Sequence, residues 1–167
     1  NYMNPRIKIE TEDYGTMEAE LYPDKAPETV KNFLGLIEDN FFDGLVFHRV
    51  IEGFMIQGGG YDKKGRHHDA DPIYGEFASN GFSQNDIKHT RGVLSMARTM
   101  VPDSASSQFF IMHMDAPHLD GQYAAFGKVT SGIETVDKIA AVRTDYSDQP
   151  LYPVVIKHMS IIPAHEQ

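Results

Sequence analysis

Apolar and polar positions alternate at the start of the chain and then fall into a helical period at two places. Arg6-Ile7-Lys8-Ile9-Glu10 and Met17-Glu18-Ala19-Glu20-Leu21 each put every second residue on one apolar face. Asp13-Tyr14-Gly15 supplies a turn between them, so the pair is predicted as two antiparallel strands. After Ala26-Pro27 the spacing changes: Val30, Phe33, Leu34 and Ile37 recur at i, i+3, i+4 and i+7, one face of a helix. Pro27 suits a first helical turn, where its missing N–H is no loss. A second helix is predicted from Ser131-Gly132-Ile133-Glu134, whose Ser-x-x-Glu spacing fits a capping box. It continues through Val136, Ile139, Ala140 and Val142.

Further strands are predicted over residues 46–50, 54–57, 93–97, 108–113, 124–129 and 154–162. Several are apolar on both faces, as strands covered on both sides are. Eight short strands and two helices predict a mostly β fold, a closed eight-stranded antiparallel barrel capped by two α-helices. Residues 60–91 carry little periodicity and are expected to wrap the barrel as an ordered loop bearing functional groups. No linker, repeat or low-complexity tract interrupts residues 1–167, which read as one domain. Asn1 and Tyr2 precede Met3, the expected natural start.

Composition removes whole classes of function. The 167 residues contain no cysteine, which excludes disulfides, thiolate metal sites and thiol catalysis. Fifteen Lys and Arg against 24 Asp and Glu leave a net charge of −9, a field that repels a phosphate backbone. The one basic cluster, Lys63, Lys64, Arg66, His67 and His68, is diluted by Asp62, Asp69 and Asp71, so no nucleic-acid partner is expected. No apolar run approaches the roughly 20 residues that span a bilayer, and residues 1–20 lack the apolar stretch of a signal peptide. A cytoplasmic protein without a membrane partner is expected.

Familiar catalytic signatures are missing as well. Gly60-x4-Gly65 has phosphate-loop spacing, but Arg66-His67 follow where Lys and Ser or Thr are needed. There is no G-x-S-x-G elbow, no H-E-x-x-H and no dinucleotide fingerprint. Adjacent His67 and His68 cannot both face one metal from a regular strand. The expected chemistry uses no metal, no cofactor and no nucleophile.

What is left is concentrated in a few segments. On a strand over residues 54–57, Met55 and Gln57 share a face; on the next, Gln108, Phe110 and Met112 share one face and Phe109 and Ile111 the other. One face can fill the barrel while the other forms an apolar patch rimmed by amides. For Phe110 and Met55 the residues alone leave core and site equally open. Arg49 sits in an apolar run between Phe47 and Val50-Ile51, and arginine is seldom buried unpaired. Either a surface ion pair or a positioned guanidinium accounts for it.

Phe47-His48-Arg49-Val50, Phe54-Met55-Ile56-Gln57-Gly58-Gly59, Leu94-Ser95-Met96-Ala97, Ser107-Gln108-Phe109-Phe110-Ile111 and Phe126-Gly127-Lys128-Val129 occur in this order. Together they resemble the cyclophilin family of peptidyl-prolyl cis/trans isomerases, and the likeness runs from about Ile7 to Ile162. Carried over residue by residue, the resemblance implies that Arg49 is the catalytic cation. Gln57 would orient it and bond the substrate backbone, with His48 alongside. Phe54, Met55, Phe110 and Leu119 would hold the proline ring. Ala97, Arg98 and Thr99 would offer backbone groups to the residues before proline, and Gln108 a polar contact.

The departures bear on binding. His118 stands where the best-known eukaryotic members have tryptophan, which implies weakened cyclosporin binding. Tyr123 replaces a histidine facing the ring, and Arg98-Thr99 replace Asn-Ala. The expected function is isomerisation of X–Pro bonds in peptides and in unfolded or folding proteins, by a monomer of the bacterial cytosolic type. A proline-segment binding module, or a chaperone with incidental catalysis, is the alternative.

Overall fold

The computed structural model describes residues 4–164; the start expected at Met3 lies outside them. Ten elements follow in order: β1 (Arg6–Thr11), β2 (Thr16–Leu21), α1 (Pro27–Glu38), β3 (Arg49–Ile51), β4 (Met55–Gly58), β5 (Val93–Met96), β6 (Phe109–Met112), β7 (Ala125–Ser131), α2 (Ile133–Ala140) and β8 (Ile156–Ile162). The strands form one eight-stranded sheet in the order β3-β4-β6-β5-β7-β2-β1-β8, with every pairing antiparallel.

The sheet curls but does not close, which corrects the expectation of a closed barrel. Its end strands, β3 and β8, do not pair with each other. Before β3 the chain does meet the approach to β8 and its first residue: Phe47 N donates to Val154 O at 3.0 Å and Ile156 N to Leu45 O at 2.8 Å. At β3 itself that ladder stops, because Val50 N donates to Asp148 O at 2.8 Å. The loop ahead of β8 has taken the edge a closing strand would need. The result is a half-barrel with a plugged seam.

Its concave side is filled by Ile7, Ile9, Leu21, Phe47, Ile56, Phe109, Ile111 and Phe126, all essentially without exposure. Helix α1 drives Phe33 into this core, its ring centroid 4.8 Å from that of Phe126 and 5.2 Å from that of Phe109. Burial of a phenylalanine contributes about 1.5–3 kcal/mol, so the apolar stripe read from Val30, Phe33 and Ile37 is what seats the helix.

Both helix starts depart from local logic. Ala26 caps α1 without a side-chain bond. Instead the buried Glu76 accepts from Glu28 N at 3.1 Å, Thr29 N at 2.8 Å and Thr29 Oγ1 at 2.7 Å, so an acceptor from 47 residues away does the capping. The capping box expected from Ser131 does not form: Ser131 is still in β7, paired with Glu18. Gly132 caps α2 with φ 85° and no side-chain bond, reversing the chain within a single left-handed residue. Residues 60–91 are mostly irregular, held by the buried polar side chains of Glu76, Asn85 and His89.

Candidate active site

Strands β4, β5 and β6 turn their second face away from the core. Because side chains alternate along a strand, Met55 and Gln57 share that face. Across the ladder they meet Met112 and Phe110, their register partners. Met55, Phe110, Met112 and Leu119 are buried here in a cluster of their own, with Phe54, Ala97 and Tyr123 packed against it. Phe109 and Ile111 point the other way, into the main core. The two-faced reading of β6 holds.

Over this cluster lies a recess of about 160 Å³ lined by Arg49, Phe54, Met55, Gln57, Ala97, Arg98, Phe110, Leu119 and Tyr123. A cavity of about 150 Å³ is enough for benzene, so the recess suits one small ring. Phe110 forms its floor, with Tyr123 edge-on at 5.7 Å and 85°. His118 is exposed, its ring 5.8 Å from that of Phe54. A second recess of about 270 Å³ adjoins the first, sharing Gln57, Ala97 and Arg98 and adding His67, Asp69, Thr99, Ser104, Ser106 and Gln108. Of these, His67, Asp69, Ser104 and Ser106 carry no periodic signal in the sequence.

Arg49 is exposed on edge strand β3. Its side chain makes no hydrogen bond or ion pair among the described residues, so the surface ion pair is not the arrangement found. The guanidinium stands free at the mouth of an apolar recess. Gln57 is its register partner on β4, yet the Gln57 Nε2 donates to Gln108 Oε1 at 3.0 Å. The amide expected to orient Arg49 is therefore tied to the opposite wall. Gly60 allows this, since a Cβ there would overlap the Gln108 side chain.

His48 does not join the recess. It lines a separate hollow with Asp62, Lys63, Pro150 and Pro153, its ring 4.8 Å from that of Tyr61. Its Nδ1 is buried without a hydrogen-bond partner. Burial first, then the charges of Arg49 and His67, push its pKa down to about 4, so the ring is neutral near pH 7.

Arg98 is held on all sides. Its Cζ lies 4.6 Å from the centre of the Phe77 ring and 4.8 Å from that of Tyr123. Nε and Nη2 donate to Gln122 O, and Nη1 to Thr99 O. Each cation–π contact contributes about 0.5–1 kcal/mol or more, so the arginine clasps its loop to the wall carrying Tyr123. The neighbouring Thr99 N donates to Ser104 Oγ and Ala97 N to Gln108 O. That leaves the Arg98 backbone N–H and C=O without a partner among the described residues.

Behind the floor runs a chain that sequence reasoning missed. His89, only 1% exposed, stacks at 6.0 Å and 21° on Phe110. Its Nε2 is 2.8 Å from Ser95 Oγ and its Nδ1 3.2 Å from Asp120 Oδ1. Burial pushes its pKa down, against the pull of Asp120. No local signal marks His89, which lies in the unpatterned stretch.

Chemically the site offers a small apolar slot, a free guanidinium at its edge and amides beside it. Known proteins resemble this chain along most of its length. A family model described as cyclophilin type peptidyl-prolyl cis-trans isomerase/CLD matches residues 6–161. A peptidyl-prolyl cis-trans isomerase of Acinetobacter baylyi is 45% identical over 168 residues, covering 95% of this chain and 86% of that protein. The Escherichia coli peptidyl-prolyl cis-trans isomerase B is 41% identical over 162 residues, covering 89% and 95%. The crystal structure of a Cryptosporidium parvum cyclophilin type isomerase superposes with a TM-score of 0.82 at 32% identity, covering 97% of this chain and 99% of that one. A second structure of it, solved in the presence of the dipeptide Ala-Pro, gives 0.80 at 32% identity, covering 95% and 99%. By sequence over nearly its whole length and by fold, the chain belongs to the cyclophilin-type peptidyl-prolyl cis-trans isomerases.

Proposed function

We propose that this chain isomerises X–Pro bonds without covalent chemistry, with Arg49 as the catalytic residue and the ring slot over Phe110 as the proline site. The observation that carries the reading is the unpaired Arg49 guanidinium beside a ring-sized apolar recess. An amide C–N bond resists rotation by about 18–20 kcal/mol because of resonance, while the two X–Pro isomers are close in energy. Catalysis needs only to favour the twisted amide over both planar forms.

Phe54, Met55, Phe110, Leu119 and Tyr123 hold the pyrrolidine ring, leaving the preceding carbonyl free to swing. As the bond twists, the prolyl nitrogen regains a localised lone pair. A guanidinium N–H aimed at that nitrogen strengthens its bond as resonance is lost, which is differential stabilisation of the transition state. The free Arg98 N–H and C=O bond the peptide before the proline. Gln57 and Gln108, as a paired amide, contact its backbone. His48 acts from outside the slot, as a neutral ring beside Arg49 in sequence.

Clients are proline-containing segments of unfolded or folding proteins, met by a monomeric single-domain enzyme in the cytoplasm, and cyclosporin binding is weakened by His118. Relaxation of a cis Ala-Pro tetrapeptide tests the reading. Wild type should accelerate it and Arg49→Ala should lose about 10²–10³-fold, as removal of one transition-state donor does. Arg49 is exposed on β3, so the variant should fold normally. Unchanged turnover in Arg49→Ala would sink the mechanism. An inactive wild type that still binds the peptide would make the chain a proline-binding module.

A further inference from the structure

The turn between β3 and β4 delivers Phe54 to the ring slot, and one histidine holds it from both sides. Phe54 N donates to Ile51 O at 2.9 Å, closing the turn, and Gly53 occupies it with φ 83°. Gly53 N donates to Nδ1 of His113 at 2.9 Å. The His113 backbone N donates in turn to Phe54 O at 2.8 Å. His113 is only 8% exposed. Its other ring nitrogen, Nε2, lies 3.1 Å from Asp137 Oδ1 on α2.

The proton count on this ring is determined by its neighbours. A backbone N–H can only donate, so Nδ1 carries a lone pair. A carboxylate can only accept, so Nε2 carries the proton. Asp137 stays ionised, because the Arg91 bond, ahead of other causes, holds its carboxyl below the usual range. Arg91 reaches Asp137 through Nη1 at 2.7 Å and Nη2 at 2.9 Å, and its Nη1 also donates to His113 O at 3.0 Å. Asp115, just after β6, accepts from Arg91 N. Charges facing the ring are therefore Asp137 from α2 and Arg91 from ahead of β5. Asp115 lies behind Arg91, and Glu52 is in the turn itself. A second proton on the ring would go to Nδ1, setting two donors against each other at the distance of a hydrogen bond.

We infer that His113 is a positioning residue for the isomerase site: its neutral ring, steered by Asp137, holds the Phe54 turn through Gly53, and its second proton releases that turn. This rests on the isomerase reading for its effect on turnover, but the link between ring and turn stands apart from it.

Two near-isosteric variants separate the ring's two nitrogens. Asparagine places an amide oxygen near the position of Nδ1 and does not titrate. Glutamine places its amide nitrogen near Nε2 and offers Gly53 nothing. We expect kcat/KM for a proline tetrapeptide to fall in His113→Gln by about two- to tenfold, the worth of one neutral hydrogen bond. His113→Asn should recover most of that loss. As the pH is lowered, the wild-type Gly53 amide signal in ¹H–¹⁵N NMR should move together with the signals of the His113 ring. An acid limb of kcat/KM should accompany that movement and vanish in His113→Asn. The other histidines stay in that variant, so the difference between the two profiles belongs to His113.

A Gly53 signal that stays flat while the His113 ring titrates would overturn the inference. So would His113→Gln with wild-type turnover, or His113→Asn as impaired as His113→Gln. A wild type without turnover overturns the isomerase reading instead, and the Gly53 titration with peptide binding by the two variants still decides this one.

Discussion

Replacing Glu76 by alanine removes the only side-chain acceptor found at the start of α1 among the described residues. The carboxylate is 2% exposed and takes three donors, Glu28 N, Thr29 N and Thr29 Oγ1. Hydrogen bonds to a charged group contribute about 1.5–3 kcal/mol each, and an anion at a helix N-terminus adds about 0.3–1 kcal/mol. Glu28 is exposed and can turn its N–H to water, whereas Thr29 is fully buried and cannot. The loss should therefore come mainly from the two Thr29 donors, about 3 kcal/mol. At about 2–4 °C per kcal/mol for a chain of this size, Tm should drop by roughly 6–12 °C. Glu76→Gln keeps one acceptor oxygen and loses the charge, so it should fall about half as far. Thermal unfolding followed by near- and far-UV circular dichroism measures all three proteins. A Glu76→Ala protein melting within about 2 °C of wild type would refute the reasoning that a distant carboxylate caps this helix.

Other expectations follow the same geometry. Arg98→Ala removes both ring contacts and frees Tyr123, so KM for a proline tetrapeptide should rise about three- to tenfold with a smaller change in kcat; an unaltered KM counts against the clasp. Phe110→Ala empties the floor of the slot, costing about 3–5 kcal/mol of stability and nearly all turnover, and urea unfolding beside the tetrapeptide assay separates the two losses. His118→Trp should tighten cyclosporin binding at least tenfold by titration calorimetry, about 1.4 kcal/mol, and equal affinities would show that residue 118 does not limit it. His48 and His89 both have folded pKa values below the unfolded value of about 6.5. The unfolded chain then binds protons that the fold refuses. Stability should be full above about pH 6.5 and decline as pH falls toward 4, and His48→Gln should flatten part of that decline in urea midpoints.

Period and punctuation in the chain determined most of the scaffold. Alternation set Ile7 and Ile9 on one face of β1 and put Phe109 and Phe110 on opposite faces of β6, because a strand has a strict two-residue repeat. The stripe Val30, Phe33, Ile37 likewise specified which side of α1 is buried. These are properties of neighbours along the chain, and a sequence displays neighbours directly. What only the tertiary structure decided are contacts between residues far apart. Asp148 O occupies the edge of β3 and leaves the sheet unclosed; Glu76 caps a helix it does not precede; Gln57 pairs with Gln108 rather than Arg49. His48 falls into another hollow, and His113 grips a turn 60 residues earlier. Each depends on where a polar group finds its partner once water is excluded. That choice is made by the packed fold as a whole, since a buried donor or acceptor must be satisfied by whatever the topology brings within about 3 Å.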